Sequence, residues 1–151
     1  MKKRYYIAYG SNLSVEQMAY RCPDAKVAGM AAIQDWKLVF RVHATIEPCE
    51  GRVVPVLIWE ISERDERNLD RYEGYPTYYF KQDMAVTMTD LDGKHPQEIT
   101  AMVYLMADGH PLQEPMKDYL DTLEEGYQRF GFNPYQLELA LKEAREGRTD
   151  E

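Results

Sequence analysis

Two short segments hold side chains suited to chemistry. In Tyr9-Gly10-Ser11-Asn12-Leu13, a glycine and two small polar residues sit between a strand-like run and a helix start. The first N–H groups of a helix lack intrahelical partners and lie at the positive end of its dipole, so such a turn binds a carboxylate or a developing oxyanion. Glycine at its head lets a ligand approach the backbone. The same letters also build a plain tight turn ahead of a helix capped by Ser14, and physics alone does not separate the two. The second segment is Leu69-Asp70-Arg71-Tyr72-Glu73-Gly74-Tyr75-Pro76, with Glu73 at a helix end among tyrosines. A carboxyl that loses water there has its pKa raised towards neutrality, which a group that takes and returns a proton requires. The competing reading is an exposed helix-end glutamate. His43, His95 and His110 share no metal-ligand spacing and read as surface residues. Glu124-Glu125 reads as a solvated helix face, and the chain has neither a Gly-x-Ser-x-Gly elbow nor a phosphate loop.

Elements must hold these two segments in place. Residues 4–9, aromatic and β-branched, read as a strand. Ser14 caps the next helix, Gln17 completes a capping box, Leu13 and Met18 form a hydrophobic staple, and the helix ends near Arg21, before Pro23. Residues 27–33 and 36–42 read as two strands about a Gln34-Asp35 turn. Residues 52–61 read as a buried strand in which Pro55 signals an edge, a bulge or a strand start. Ser62 caps a second helix with Leu69 and Tyr72 on its inner face; Gly74 ends it with positive φ, and Pro76 prevents continuation. Residues 78–88 and 98–106 form a hairpin about Asp90-Leu91-Asp92-Gly93. Residues 115–130 form a helix with Met116, Tyr119, Leu120, Leu123 and Tyr127 on one face. Asn133-Pro134 opens the last helix, whose Leu137, Leu141 and Ala144 stripe packs on the body, and Gly147 ends it. Strands and helices do not alternate as in a doubly wound fold, so the class is α+β.

The bulk numbers bound the function. The chain's 151 residues suit one domain, residues 1–147, followed by a charged tail, 148–151. A net charge of −8 argues against nucleic acid, whose binding rests on cationic side chains. Twelve tyrosines against four phenylalanines point either to rings buried with wet hydroxyls or to a pocket lined by phenols. No run approaches a membrane span or the apolar core of a signal peptide. Cys22 and Cys49 lack metal-ligand spacing and read as inert thiols, so the expected setting is a reducing cytoplasm with no metal. Nothing in the sequence specifies an oligomeric state.

At Tyr9-Gly10-Ser11-Asn12-Leu13 and Glu73-Gly74 the chain resembles the gamma-glutamylcyclotransferase-like family, whose members carry these two motifs after the first strand and near mid-chain. The likeness extends through Trp36-Lys37-Leu38-Val39-Phe40, Ala44-Thr45-Ile46, Val56-Leu57-Ile58-Trp59 and Pro115 to Tyr119, followed by Gly126, and is similar to that of bacterial gamma-glutamylamine cyclotransferase-like members. The resemblance implies a small closed or nearly closed mixed β-barrel with flanking helices and a cavity between motif loop and glutamate. It implies an enzyme of the acyltransferase or lyase class, free of cofactors, acting on a small gamma-glutamyl substrate. The α-amine attacks its own γ-carbonyl and releases 5-oxoproline and an amine or amino acid. Glu73 is then the general acid and base, and Tyr9, Gly10, Ser11, Asn12 and Leu13 hold the substrate. Tyr79 matches a pocket tyrosine after the Glu-Gly pair, with Tyr78 as the neighbouring alternative, and Tyr119 matches the tyrosine after the late proline. The rival expectation is a non-catalytic module that binds a small carboxylate or amine in the same pocket.

Overall fold

A computed structural model describes residues 3–147, so the expected charged tail lies outside the described residues. Strand β1 (Lys3–Ala8) passes through a 3₁₀ turn, Ser11–Leu13, into helix α1 (Val15–Arg21). Two long strands follow, β2 (Lys26–Arg41) and β3 (His43–Ser62), then α2 (Glu63–Glu73), the hairpin β4 (Tyr79–Met88) and β5 (Gln97–Met106), and helices α3 (Lys117–Phe130) and α4 (Tyr135–Glu146). The expected α+β class holds.

The sheet has the order β2-β3-β1-β5-β4. Strand β1 lies in its centre, antiparallel to β3 and parallel to β5, with Ile7 opposite Ile58 and Tyr6 opposite Met102. Its residues from Tyr6 to Ala8 are buried, so a fully covered strand delivers the Tyr9–Leu13 segment to one end of the sheet. Each hairpin pairs sequence neighbours, which keeps the loop-closure cost low.

The ladder does not close into a barrel, which corrects the closed form of the expectation. One bridge joins the edges: Met30 N–H donates to Thr89 O at 3.0 Å and Thr89 N–H to Met30 O at 2.9 Å. The curl that brings the edges together coincides with irregularities in β2 at Val27/Gly29 and Gln34/Trp36, since bulges bend and twist a strand. The second explains another correction. Gln34-Asp35 is not a turn between two strands; Asp35 takes φ 64° at a bulge inside one continuous strand. The reversal comes instead at Val42, where Arg41 pairs with His43. Pro55 pairs with Ala32 just beyond Leu57, the last residue of β3 opposite β1, so it occupies the edge-like position that proline requires.

The helix signals are read with four corrections. Ser14 Oγ accepts from Gln17 N–H at 3.2 Å, but the Gln17 side chain reaches Thr122 on α3 instead of closing the capping box. The complete box forms at α2, where Ser62 and Asp65 exchange side-chain and backbone bonds. Tyr72 is 47% exposed and Met116 71% exposed, so neither belongs to its helix's inner face, whereas Leu69, Leu123 and Tyr127 do. Asn133 Oδ1 accepts from Tyr135 N–H at 3.0 Å and Pro134 stands at the cap itself, one position before the first turn. Leu137 and Ala144 are buried and Leu141 packs against the core from the rim, with Arg52 on β3 paired to Glu143 at 3.1 Å. Burial pushes the Cys22 thiol up to about 12, which keeps it protonated. No described helix is long and apolar enough to cross a membrane.

The seam is tight at Gly29, where an added Cβ would stand 2.2 Å from Thr89 O and 2.8 Å from Met88 Cγ. Gly29→Ala should therefore destabilise the fold by about 1–3 kcal/mol. The expected readout is a lower midpoint in urea with an unchanged slope.

Candidate active site

The motif turn is held from both sides. Leu13 N–H donates to Gly10 O at 3.0 Å and Ser14 N–H to Ser11 O at 3.1 Å, closing the 3₁₀ turn. Gly10 is closely approached, since Tyr119 Oη stands 3.1 Å from where its Cβ would be, a fit that an added methyl would crowd by a few tenths of an ångström. Asn12 is 3% exposed and fully committed: its Nδ2 donates to Tyr6 Oη at 2.9 Å, its Oδ1 accepts from Arg21 at 2.5 Å, and its carbonyl accepts from Trp59 Nε1 at 3.0 Å. Ser11 Oγ lies 3.4 Å from Tyr72 Oη. Leu13 departs from expectation. Its N–H is used by Gly10, and its side chain packs in the core, where a Cβ on Gly126 would come within 2.6 Å of Leu13 Cβ.

Glu73 is the last residue of α2 and stands across the pocket from this turn. Gly74 follows in the left-handed conformation, φ 66°, with Tyr75 N–H bonded to Asp70 O at 2.9 Å. That ending turns the chain sharply and sets the Glu73 side chain towards the sheet. Helix α2 is itself pinned by ions. Lys81 on β4 contacts Glu66 at 2.8 Å and Asp70 at 3.0 Å, Arg4 on β1 contacts Glu66 at 3.0 Å, and Tyr104 Oη donates to Asp70 at 2.6 Å.

The half-buried Glu73 carboxyl makes no hydrogen bond or ion pair with the described residues. Burial pushes its pKa up to about 7, and the positive charge of Arg21 holds it down in part. The negative end of the α2 dipole acts in the same direction as burial. A group so placed is poised both to accept and to return a proton near neutrality.

Phenols line the rest of the pocket, with Gly10, Ser11, Asn12 and Ala44. Tyr9 Oη donates to Tyr104 O at 2.6 Å and Tyr79 Oη donates to Ala44 O at 2.7 Å, so these hydroxyl protons are spent on the scaffold. Tyr119 and Tyr6 are different. Tyr119 Oη accepts from Ala44 N–H at 3.0 Å and Tyr6 Oη accepts from Asn12, which leaves each phenol its own proton to donate to a ligand. Burial raises the pKa of Tyr6, Tyr9, Tyr79 and Tyr119, with the Glu73 charge adding to it, so all four stay protonated. An outer chamber continues from Glu73 past Tyr72, Tyr78, Tyr119 and His43, and His43 Nδ1 lies 2.9 Å from Tyr78 Oη. Tyr79 thus faces both chambers and Tyr78 the outer one alone.

The model of the family described as gamma-glutamyl cyclotransferase, AIG2-like, matches residues 6–126, a span that contains Tyr9, Glu73 and Tyr119. The chain belongs to this family. A gamma-glutamylcyclotransferase of Mus musculus is 30% identical over 154 residues, covering 93% of this chain and 79% of that protein. That of Bos taurus is 32% identical over 115 residues, covering 68% of this chain and 59% of the relative. A solved structure of a gamma-glutamyl cyclotransferase superposes with a TM-score of 0.73 at 26% identity, covering 99% of this chain and 90% of that one.

The structure of this cyclotransferase-family chain brings together every expected site residue except Leu13, which lies behind the turn. It adds Tyr6, Arg21, Ala44 and Tyr104, and it places His43, exposed as a surface residue should be, at the pocket mouth. Only Tyr6 carried a local signal: in a strand whose Ile7 faces the core, the residue before it lies on the other face, beside the motif. Ala44, Tyr104 and His43 arrive through pairings distant in sequence, and Arg21 through its contact with Asn12, nine residues earlier.

The raised pKa of Glu73 has a stability consequence of fixed sign. The folded protein binds this proton more tightly than the unfolded chain, so between 4.5 and about 7 stability falls as pH rises. Below 4.5 both states are protonated and the effect vanishes; above about 7 both are ionised and the full cost is present. Glu73→Gln should leave the melting temperature unchanged near about pH 4 and raise it near about pH 8, by about 2–4 °C for each kcal/mol recovered. Thermal unfolding of both proteins at the two pH values checks this.

Proposed function

We propose that this chain is a cofactor-independent cyclotransferase that releases 5-oxoproline and a free amine or amino acid from a small gamma-glutamyl compound. The observation that carries the reading is a carboxyl with pKa raised to about 7 lining one phenol-rich pocket with the Gly10–Asn12 turn.

The chemistry follows from where the protons are. The substrate's α-ammonium gives a proton to the Glu73 carboxylate, and the freed amine attacks the γ-carbonyl carbon. A new C–N bond closes the five-membered ring, and the carbonyl oxygen takes up negative charge. The N–H groups that begin the Ser11–Leu13 turn and the free O–H protons of Tyr119 and Tyr6 are the donors for that oxygen and for the substrate's α-carboxylate. Protonated Glu73 then delivers its proton to the departing nitrogen and the original amide bond breaks; the ring nitrogen gives up its second proton through the same carboxyl to the released amine, which leaves as its ammonium form, and 5-oxoproline remains. One carboxyl serves both transfers because its pKa lies close to the working pH. Ring closure joins two parts of one molecule, so holding the chain folded supplies much of the remaining acceleration. The outer chamber past Tyr72, Tyr78 and His43 takes the leaving amine. A cytoplasmic setting suits a catalyst with two free thiols and no cofactor.

Release of 5-oxoproline from a panel of gamma-glutamyl amines and gamma-glutamyl amino acids tests the reading. Glu73→Gln should lower kcat by about 10²–10⁴-fold with a small change in KM. Undiminished turnover in that variant contradicts the role given to Glu73. Tight binding by the wild-type protein with no product over hours points to the non-catalytic module instead.

A further inference from the structure

Arg21 lies outside the motif, on the last turn of α1, where a basic side chain ordinarily extends into water to complement the helix dipole. Here it turns inward. One guanidinium nitrogen donates to Asn12 Oδ1 at 2.5 Å, and its carbon lies 3.6 Å from the centroid of the Tyr72 ring. Its backbone carbonyl accepts from Asn68 Nδ2 of α2 at 3.0 Å. The motif turn, the end of α1 and the end of α2 thus meet at this one residue.

The hydrogen bonds that start there all run one way. Arg21 N–H enters the Asn12 carbonyl, the Asn12 N–H enters the Tyr6 oxygen, and the Tyr6 O–H is left to donate into the pocket. Without a donor on Oδ1, the Asn12 amide has no reason to present its nitrogen to Tyr6. Without the planar guanidinium, Tyr72, 47% exposed even with it in place, loses the surface it stacks on. Lysine keeps the charge but cannot stack and fork together.

We propose that Arg21 is the positioning residue of this site, locking the Gly10–Leu13 turn to the end of the glutamate helix through Asn12 on one side and the Tyr72 ring on the other. This rests on the cyclotransferase reading for its catalytic meaning, while its electrostatic part is independent of it. The titratable and charged groups around Glu73 are Tyr6 and Tyr9 at the end of β1, Tyr72 of α2, Tyr78 just before β4 and Tyr79 at its start, Tyr104 of β5, Tyr119 of α3, His43 at the β2–β3 tip, and Arg21 of α1. The phenols are neutral through the physiological range, and burial pulls the His43 pKa down. Arg21 is accordingly the group whose charge favours the Glu73 carboxylate.

The test uses Arg21→Met and Arg21→Lys in the full chain, with melting curves to confirm folding. The Glu73 carboxyl is titrated by carbon NMR of glutamate-labelled protein and assigned by its absence in Glu73→Gln. Arg21→Met should move the Glu73 midpoint upward, and Arg21→Lys should leave it near the wild-type value. Both should lower kcat/KM for 5-oxoproline release by about 10- to 100-fold, because the turn is no longer held in register with the carboxyl. A Glu73 midpoint and kcat/KM unchanged in a folded Arg21→Met would overturn the proposal. If that variant does not fold, Arg21→Lys decides by its kcat/KM, and a wild-type value overturns the positioning role. A wild-type protein that releases no 5-oxoproline contradicts the cyclotransferase reading, and the NMR midpoints then decide on Arg21 alone.

Discussion

A carboxyl that titrates near neutrality must be deprived of water and of partners at once, and every polar group around it must be satisfied by something else. That constraint organises this structure. Glu73 lies among hydroxyls, yet those of Tyr9 and Tyr79 are spent on the carbonyls of Tyr104 and Ala44, and those of Tyr6 and Tyr119 are fixed as acceptors of Asn12 and Ala44. None of the four neutral phenols hydrogen-bonds to Glu73, and the protons of Tyr6 and Tyr119 are left for a ligand. Arg21, stacked on the Tyr72 ring, tempers the resulting rise in pKa.

Satisfying Tyr9, Tyr79 and Tyr119 with backbone groups, and Tyr6 with the Asn12 side chain, needs strands that are adjacent in space and far apart in sequence. Central strand β1 supplies Tyr6 and Tyr9, the tip of the β2–β3 hairpin folds over to present Ala44, and β5 offers the Tyr104 carbonyl. Contact without a side chain fixes the spacing at two glycines, Gly126 against Leu13 and Gly29 against Thr89. The first seats α3, and hence Tyr119, on the motif turn. The second draws the sheet edges together and leaves a curled open sheet joined at one bridge, where a closed or nearly closed barrel was expected.

Signals local to the chain were legible in the sequence. The caps at Ser14 and Ser62, the left-handed stop at Gly74 and the hairpin about Asp90–Gly93 depend on residues a few positions apart, and the two motifs sit at the junctions those signals create. The reading failed where tertiary contact overrides a local pattern. Gln34-Asp35 has turn chemistry, but the pairing of β2 with β3 continues past it and turns it into a bulge. Gln17 is spaced for a capping box and reaches for α3 instead. Tyr72 keeps helical spacing with Leu69, yet its ring turns out to meet Arg21. Arg21 and His43 had no signal of a role, because a helix-end arginine and a lone histidine look the same wherever they occur, and Ala44 stood out only through the family likeness at Ala44-Thr45-Ile46.

The central claim is that one partly dehydrated carboxyl shuttles the proton. The most direct measurement is the pH dependence of wild-type kcat/KM for 5-oxoproline release, which reports the ionisations of the free enzyme and free substrate. With Glu73 raised to about 7, the acidic limb should bend near neutrality. A profile that stays flat down to the ordinary carboxylate range, about 4–5, contradicts the account.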